Sequence, residues 1–281
     1  MNSAQTLTDL RQAALQALCL GDARAKTQAV FRLARRVAEH PCDTHASIEA
    51  PEQGIPGLPP ALRLVAPRDV PHRSLGTPTG RAGMIHALAH IEFNAINLAL
   101  DAMWRFADMP LTYYHQWLGV AREESYHFRM LARRLAAHGV VYGDLPAHDS
   151  LWEMTFKTRG DVLHRMALVP RLHEARGLDA APPVRQKLQS AGDTATAAVI
   201  AVIERDEIGH VGIGNHWYRS LCGARGLDPL ATYTSLCTQY KAPVLKPPFN
   251  LPARRAAGFT EAELQALQDA AKLKTQYFKK S

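Results

Sequence analysis

Four times along this chain a glutamate stands where the apolar stripe of a long helical segment should continue. Ile85, Leu88, Ile96 and Ala99 share a helical face with Glu92. Trp117, Val120, Leu131 and Leu135 share one with Glu124 and His127, and Leu163 and Ala167 with Glu174. Ile200, Ile203, Ile213 and Trp217 flank Glu207 and His210 in the same way. Apolar residues three and four apart mark the buried face of a helix, so these carboxylates point inward. A lone carboxylate in that position loses several kcal/mol of solvation. Four inward carboxylates would also repel one another. Cations between them are the economical explanation.

Spacing sharpens the expectation. Glu124-Ser-Tyr-His127 and Glu207-Ile-Gly-His210 are both Glu-x-x-His, which sets carboxylate and imidazole one helical turn apart. With 12 glutamates and 13 histidines in 281 residues, about half of one such match arises by chance, so the motif alone decides little. The register decides more. Glu92 precedes Glu124 by 32 residues and Glu174 precedes Glu207 by 33. A helix with Glu followed by a helix with Glu-x-x-His thus occurs twice, which is the ligand pattern of a ferritin-like di-metal carboxylate bundle. The residue before each motif glutamate is also acidic, Glu123 and Asp206. From there a carboxylate can accept the free N–H of a ligand imidazole and fix its tautomer, or simply be a solvated charge.

Proline divides the rest. Residues 5–40 read as one or two amphipathic helices, with Leu7, Leu10, Ala14, Ala17 and Leu18 in register. Eight of the 18 prolines fall in residues 41–80, a density that admits only an extended segment lying over other structure. Four long helices follow: about 81–106, 111–138, 161–177, and 183 to 221 with a break near Gly192. Pro170 should kink or bulge the third, four residues before Glu174. Residues 241–256 are again proline-rich, and Thr260 with Glu263 forms a capping box that opens a last helix. The expected organisation is all-α and one compact domain: residues 1–80 as N-terminal helices and wrapping segment, 81–222 as four-helix core, 223–281 as proline-rich segment and C-terminal helix. No uncharged apolar run nears the roughly 18 residues of a membrane span, and no signal peptide is evident. The four cysteines include no C-x-x-C pair, which points away from a structural zinc site and toward a reduced, cytoplasmic setting.

Six segments, GRAGMIHALAHIEFNAINLALDAMWRF, VAREESYHFRML, YGDLPAHDSLW, VPRLHEARGLD, ERDEIGHVGIGNHW and KPPFNLPARRAAGF, together resemble the bacterial ferritin-like proteins of domain-of-unknown-function family 455. The resemblance spans about residues 55–260 and implies a ferritin-like four-helix core without naming a reaction. It places the metal ligands on Glu92, Glu124, His127, Glu174, Glu207 and His210. The ribonucleotide reductase small subunit in the wider superfamily carries a radical tyrosine four residues after its first motif histidine. Leu131 stands there in this chain, which argues against a stable tyrosyl radical.

Four carboxylates and two imidazoles form a hard nitrogen–oxygen donor set that suits two ions of iron, or of manganese. The expected activity is a di-metal oxidoreductase, an O2- or peroxide-activating oxygenase or hydroxylase acting on a small organic substrate and supplied by an electron donor. His86, His90 and His173 read first as hydrogen-bonded or exposed imidazoles and Tyr126 as a packing residue, with His86 and Tyr126 also candidates for the cavity wall. The net charge of +7 keeps a tRNA-modifying hydroxylase open, and a non-enzymatic metal-binding protein is the third reading. No membrane partner is expected. The oligomeric state is open.

Overall fold

The structure is a computed structural model that describes residues 8–278 apart from Gln53, His72 and Arg73. Leu7, expected in the first helix, and the terminal lysines 279 and 280 lie outside the described residues. Among the described residues every regular element is helical, and the pairing of Leu64 with Ala147 is an isolated β-bridge. No helix among them is long and apolar enough to cross a membrane. The chain divides into two compact units, one running through Trp152 and the other from Glu153 onward.

In the first unit, α1 (Leu10–Leu18) and α2 (Ala23–Arg35) pack on α3 (Pro78–Arg105) and α4 (Leu111–Ala137) respectively. α3 and α4 are joined by only five residues and pack along each other, as short connections between long helices require. α3 starts earlier than its apolar pattern suggests because Thr77 caps it, accepting from Gly80 N at 3.0 Å, with Pro78 in the first turn. The core is apolar: Ile85, Ala89, Phe93, Ile96 and Leu100 of α3 meet Tyr113, Trp117, Leu131 and Leu135 of α4, all buried.

The proline-rich segment wraps this unit, as its composition predicts. Arg11 fixes it from beneath: its guanidinium donates to Asp43 O at 3.0 Å and Ala46 O at 2.7 Å, and also to Trp104 O at 2.9 Å at the end of α3. Trp104 Nε1 reaches Ile48 O, and Val65 N and Ala147 N bond across to Ala147 O and Arg63 O. The backbone that proline keeps out of helix is satisfied in this way by neighbouring elements.

α5 (Ser150–Lys157) contains the division between the units. In the second unit, α6 (Val162–Leu168) is capped by Asp161, passes into a π-helical turn at Val169–Glu174, and continues as α7 (Ala175–Ser190). α7 pairs with α8 (Thr194–Ala224), and α9 (Pro229–Gln239), α10 (Leu251–Ala256) and α11 (Glu261–Phe278) complete the unit. The expected bulge at Pro170 is thus present. The expected stop at Gly177 is not: helix continues through Pro182 and Pro183, and the fourth long helix begins at Thr194. Pro182 cannot bond the Leu178 carbonyl, and Asn250 Nδ2 donates to that oxygen instead at 3.2 Å. The capping box also forms, with Thr260 N donating to Glu263 Oε2 at 2.8 Å and Glu263 N to Thr260 Oγ1 at 3.3 Å.

Candidate metal centre

The first unit brings three of the expected ligands together. Glu92 projects from α3, and Glu124 and His127 project from one face of α4. His127 Nδ1 lies 3.3 Å from Glu92 Oε2 and 3.2 Å from Glu124 Oε2. One donor atom from each residue falls within 4.8 Å of the other two. Glu124 and His127 are fully buried and Glu92 is 4% exposed.

Donors bound to one cation at about 2.0–2.2 Å stand roughly 3 Å from each other, so these spacings fit an ion with little rearrangement. Electrostatics support the same reading. Burial on its own would hold the His127 imidazolium down, but hydrogen bonds to Glu124 and Glu92 and their charges raise it to about 11. The two carboxylates therefore attract a cation strongly, and a proton on His127 fills that role until a metal does.

The second unit carries the matching pair. On α8, His210 Nδ1 lies 3.7 Å from Glu207 Oε1, with side-chain exposures of 2% and 12%. Glu174 closes the π-helical turn and is half-buried. The turn is seated by shape: a Cβ on Gly214 would lie 2.4 Å from Pro170 Cβ, so only glycine lets α8 approach here. Gly214 follows His210 by four residues and Glu174 follows Pro170 by four. With α7 and α8 running in opposite directions, the Pro170–Gly214 contact sets Glu174 at the level of His210. Wide π turns recur where a functional side chain has to be re-aimed. The sequence carries a signal for this contact, a glycine in the stripe of Glu207 and His210.

The other candidates stand in different surroundings. Glu123 is partly exposed and accepts from Arg122 at 3.1 Å. Asp206 accepts from Arg205 at 2.7 Å, and its side chain is 18% exposed. His86 is buried but its Nε2 accepts from Gly143 N at 3.0 Å, beside the Tyr142 ring, and burial lowers it to about 4. His90 pairs with Tyr142 Oη at 2.8 Å and serves packing. Tyr126 is 51% exposed, because a residue two beyond Glu124 points some 200° around the helix from it.

Residues 19–265 match the family described as protein of unknown function, DUF455. The chain belongs to DUF455. An uncharacterized protein of Haemophilus influenzae is 46% identical to this DUF455 member over 237 residues, covering 82% of each chain. No solved structure gives a significant match. The DUF455 match takes in both Glu-x-x-His helices, both lone glutamates, and the proline-rich segment over the first unit.

Proposed function

We propose that this protein is a ferritin-like di-metal carboxylate oxidoreductase, in which residues 81–222 supply a four-helix core and the flanking segments wrap it. The observation that carries the reading is the buried triad Glu92, Glu124 and His127, two acids and an imidazole converging at 3.2 and 3.3 Å. The near-duplicate in the second half, Glu174, Glu207 and His210, supplies the other three ligands in the proposed centre. The repeated spacing of 32 and 33 residues and the π turn ending at Glu174 support that pairing.

Iron is the proposed metal, with manganese the alternative, because the donors are hard oxygens and borderline imidazoles. When bound, such a pair of ions supplies two-electron activation of O2 or peroxide toward a small organic substrate. The chain's own residues do the rest. Burial of Glu124 and His127 excludes bulk water, and Glu92 and Glu124 hold the His127 imidazole in place. Glu123 and Asp206 are proposed to orient the ligand imidazoles by accepting their free N–H groups.

Metal analysis of protein grown in iron-replete medium tests the reading, with two ions per chain expected. The double variant Glu124→Ala, Glu207→Ala should lose them. Unchanged metal content in that variant would overturn the ligand set. Metal binding without O2 or peroxide consumption in the presence of reductant would leave a non-enzymatic metal-binding protein instead.

A further inference from the structure

The second unit holds a half-open cavity of about 490 Å³, walled by the π turn, α9, α11 and the extended stretch at 241–245. That volume lies in the range of about 300–1,000 Å³ typical of small-molecule sites. Leu172, Leu230, Leu245, Phe259 and Leu267 make its body apolar, and Val244, 42% exposed, forms an apolar lip.

Arg171 supplies the polar feature. Its side chain is 1% exposed and is boxed by the rings of Tyr218, Tyr233 and Phe259 at 4.9, 4.9 and 4.8 Å. One terminal nitrogen donates to Asn215 Oδ1 at 2.7 Å and the other pairs with Glu263 Oε1 at 2.7 Å. Its Nε–H is buried and, among the described residues, has no hydrogen-bond partner. An unmet buried donor on a charged group is costly, so its presence in a cavity wall points to an acceptor brought by a ligand.

Charge identifies that acceptor. Arg171, Arg254 and Lys241 line the cavity. Against these three cations stand two carboxylates, Glu263 beside Arg171 and Asp179, the latter paired with Arg254 at 2.6 Å. The pocket carries surplus positive charge around one open donor.

We propose that this cavity binds a small amphiphile, an apolar chain ending in one carboxylate, with the carboxylate accepting from Arg171 Nε and the chain lying among the leucines. The site is independent of the metal reading, since its residues lie outside the six proposed ligands.

Decanoate, labelled with ¹³C at the carboxyl carbon and kept below its micelle concentration, is the probe, and decanol is the neutral control. Titration into the full-length protein should give a saturable shift of the carboxyl resonance, with decanoate at least about tenfold tighter than decanol in calorimetry. Leu267→Trp, which fills the cavity with a larger ring, should weaken decanoate by at least about tenfold at unchanged melting temperature. Arg171→Lys keeps the charge but loses the Nε–H, and should weaken decanoate while sparing decanol. Should that variant fail to fold, Leu267→Trp alone decides the location. Absence of saturable binding, equal affinity for decanol, or undiminished affinity in Leu267→Trp would each overturn the proposal.

Discussion

The ring of Pro170 fills the space that a side chain on Gly214 would need, at 2.4 Å from where its Cβ would stand. A proline ring cannot rotate aside, so Gly214→Ala must push α8 away from the π turn. Overpacking of this kind costs about 1–3 kcal/mol, more than the roughly 1 kcal/mol that alanine contributes in a helix interior. Gly209, in the same helix with no described residue beyond its own helical neighbours within 4 Å of its Cβ position, provides the opposite case. Gly214→Ala should lower the urea midpoint and Gly209→Ala should raise it. Equal effects of the two would show that the contact does not constrain α8.

Arg11 offers a different kind of constraint. Its guanidinium joins α3 to the proline-rich segment through Met103 O, Trp104 O, Asp43 O and Ala46 O. Arg11→Ala leaves these carbonyls short of a donor in a buried place, at about 1–3 kcal/mol for each one unmet. Arg11→Lys should recover only part of that loss, because one ammonium cannot span the spread of acceptors that the planar fork reaches. Urea unfolding of both variants checks the order. Full recovery by lysine would mean that charge, not geometry, ties the segment down.

Much of this was legible in the sequence. Proline reports a local fact, the absence of an N–H, so the wrapping segment and the bulge at Pro170 could be read directly. Helical register is local as well, and it marks Glu92, Glu124 and His127 as inward-facing on their helices. What escaped depends on distant residues. The helix survives Pro182 because Asn250 supplies the missing donor from far along the chain. Tyr126 is a local exception: its place inside the motif suggests the cavity, although two residues turn a side chain to the far face. Glu263 is the capping residue that its spacing from Thr260 predicts, yet it also pairs with Arg171, which no spacing rule reveals.

Lys26 gives a pH-dependent prediction. Its ammonium is fully buried, donates to Gly57 O at 2.8 Å and to Asn97 Oδ1, and lies over the Phe93 ring at 4.6 Å. Burial pulls its pKa down to about 7 from the ordinary 10.5. Between those values the unfolded chain binds the proton and the folded one does not, so this group adds stability as pH rises from about 7 to 10.5. The neutral amine still has two N–H donors for its two acceptors. Lys26→Met removes the titration, and its cost relative to the parent should therefore grow as pH is raised through this window. Unfolding free energies of both proteins at pH 7 and above measure the difference, and a constant difference would place the amine in water.

The last prediction concerns the triad. Against the pull of burial, Glu124 and Glu92 raise His127 to about 11, so in metal-free protein at neutral pH its imidazole is protonated. An imidazole nitrogen binds metal only after that proton leaves. Loading the chelator-stripped protein with Fe(II) or Mn(II) should thus release a proton from this residue, and affinity should fall about tenfold for each unit that pH is lowered across the neutral range. Glu124→Gln keeps the shape of the side chain and removes one of the two negative charges. It should weaken metal binding and release less than the parent's proton count, because His127 is then less fully protonated beforehand. Calorimetry in buffers of different ionisation enthalpy gives the proton number directly. A proton release of zero in the parent would mean that His127 is not a ligand, whatever its distance from the two glutamates.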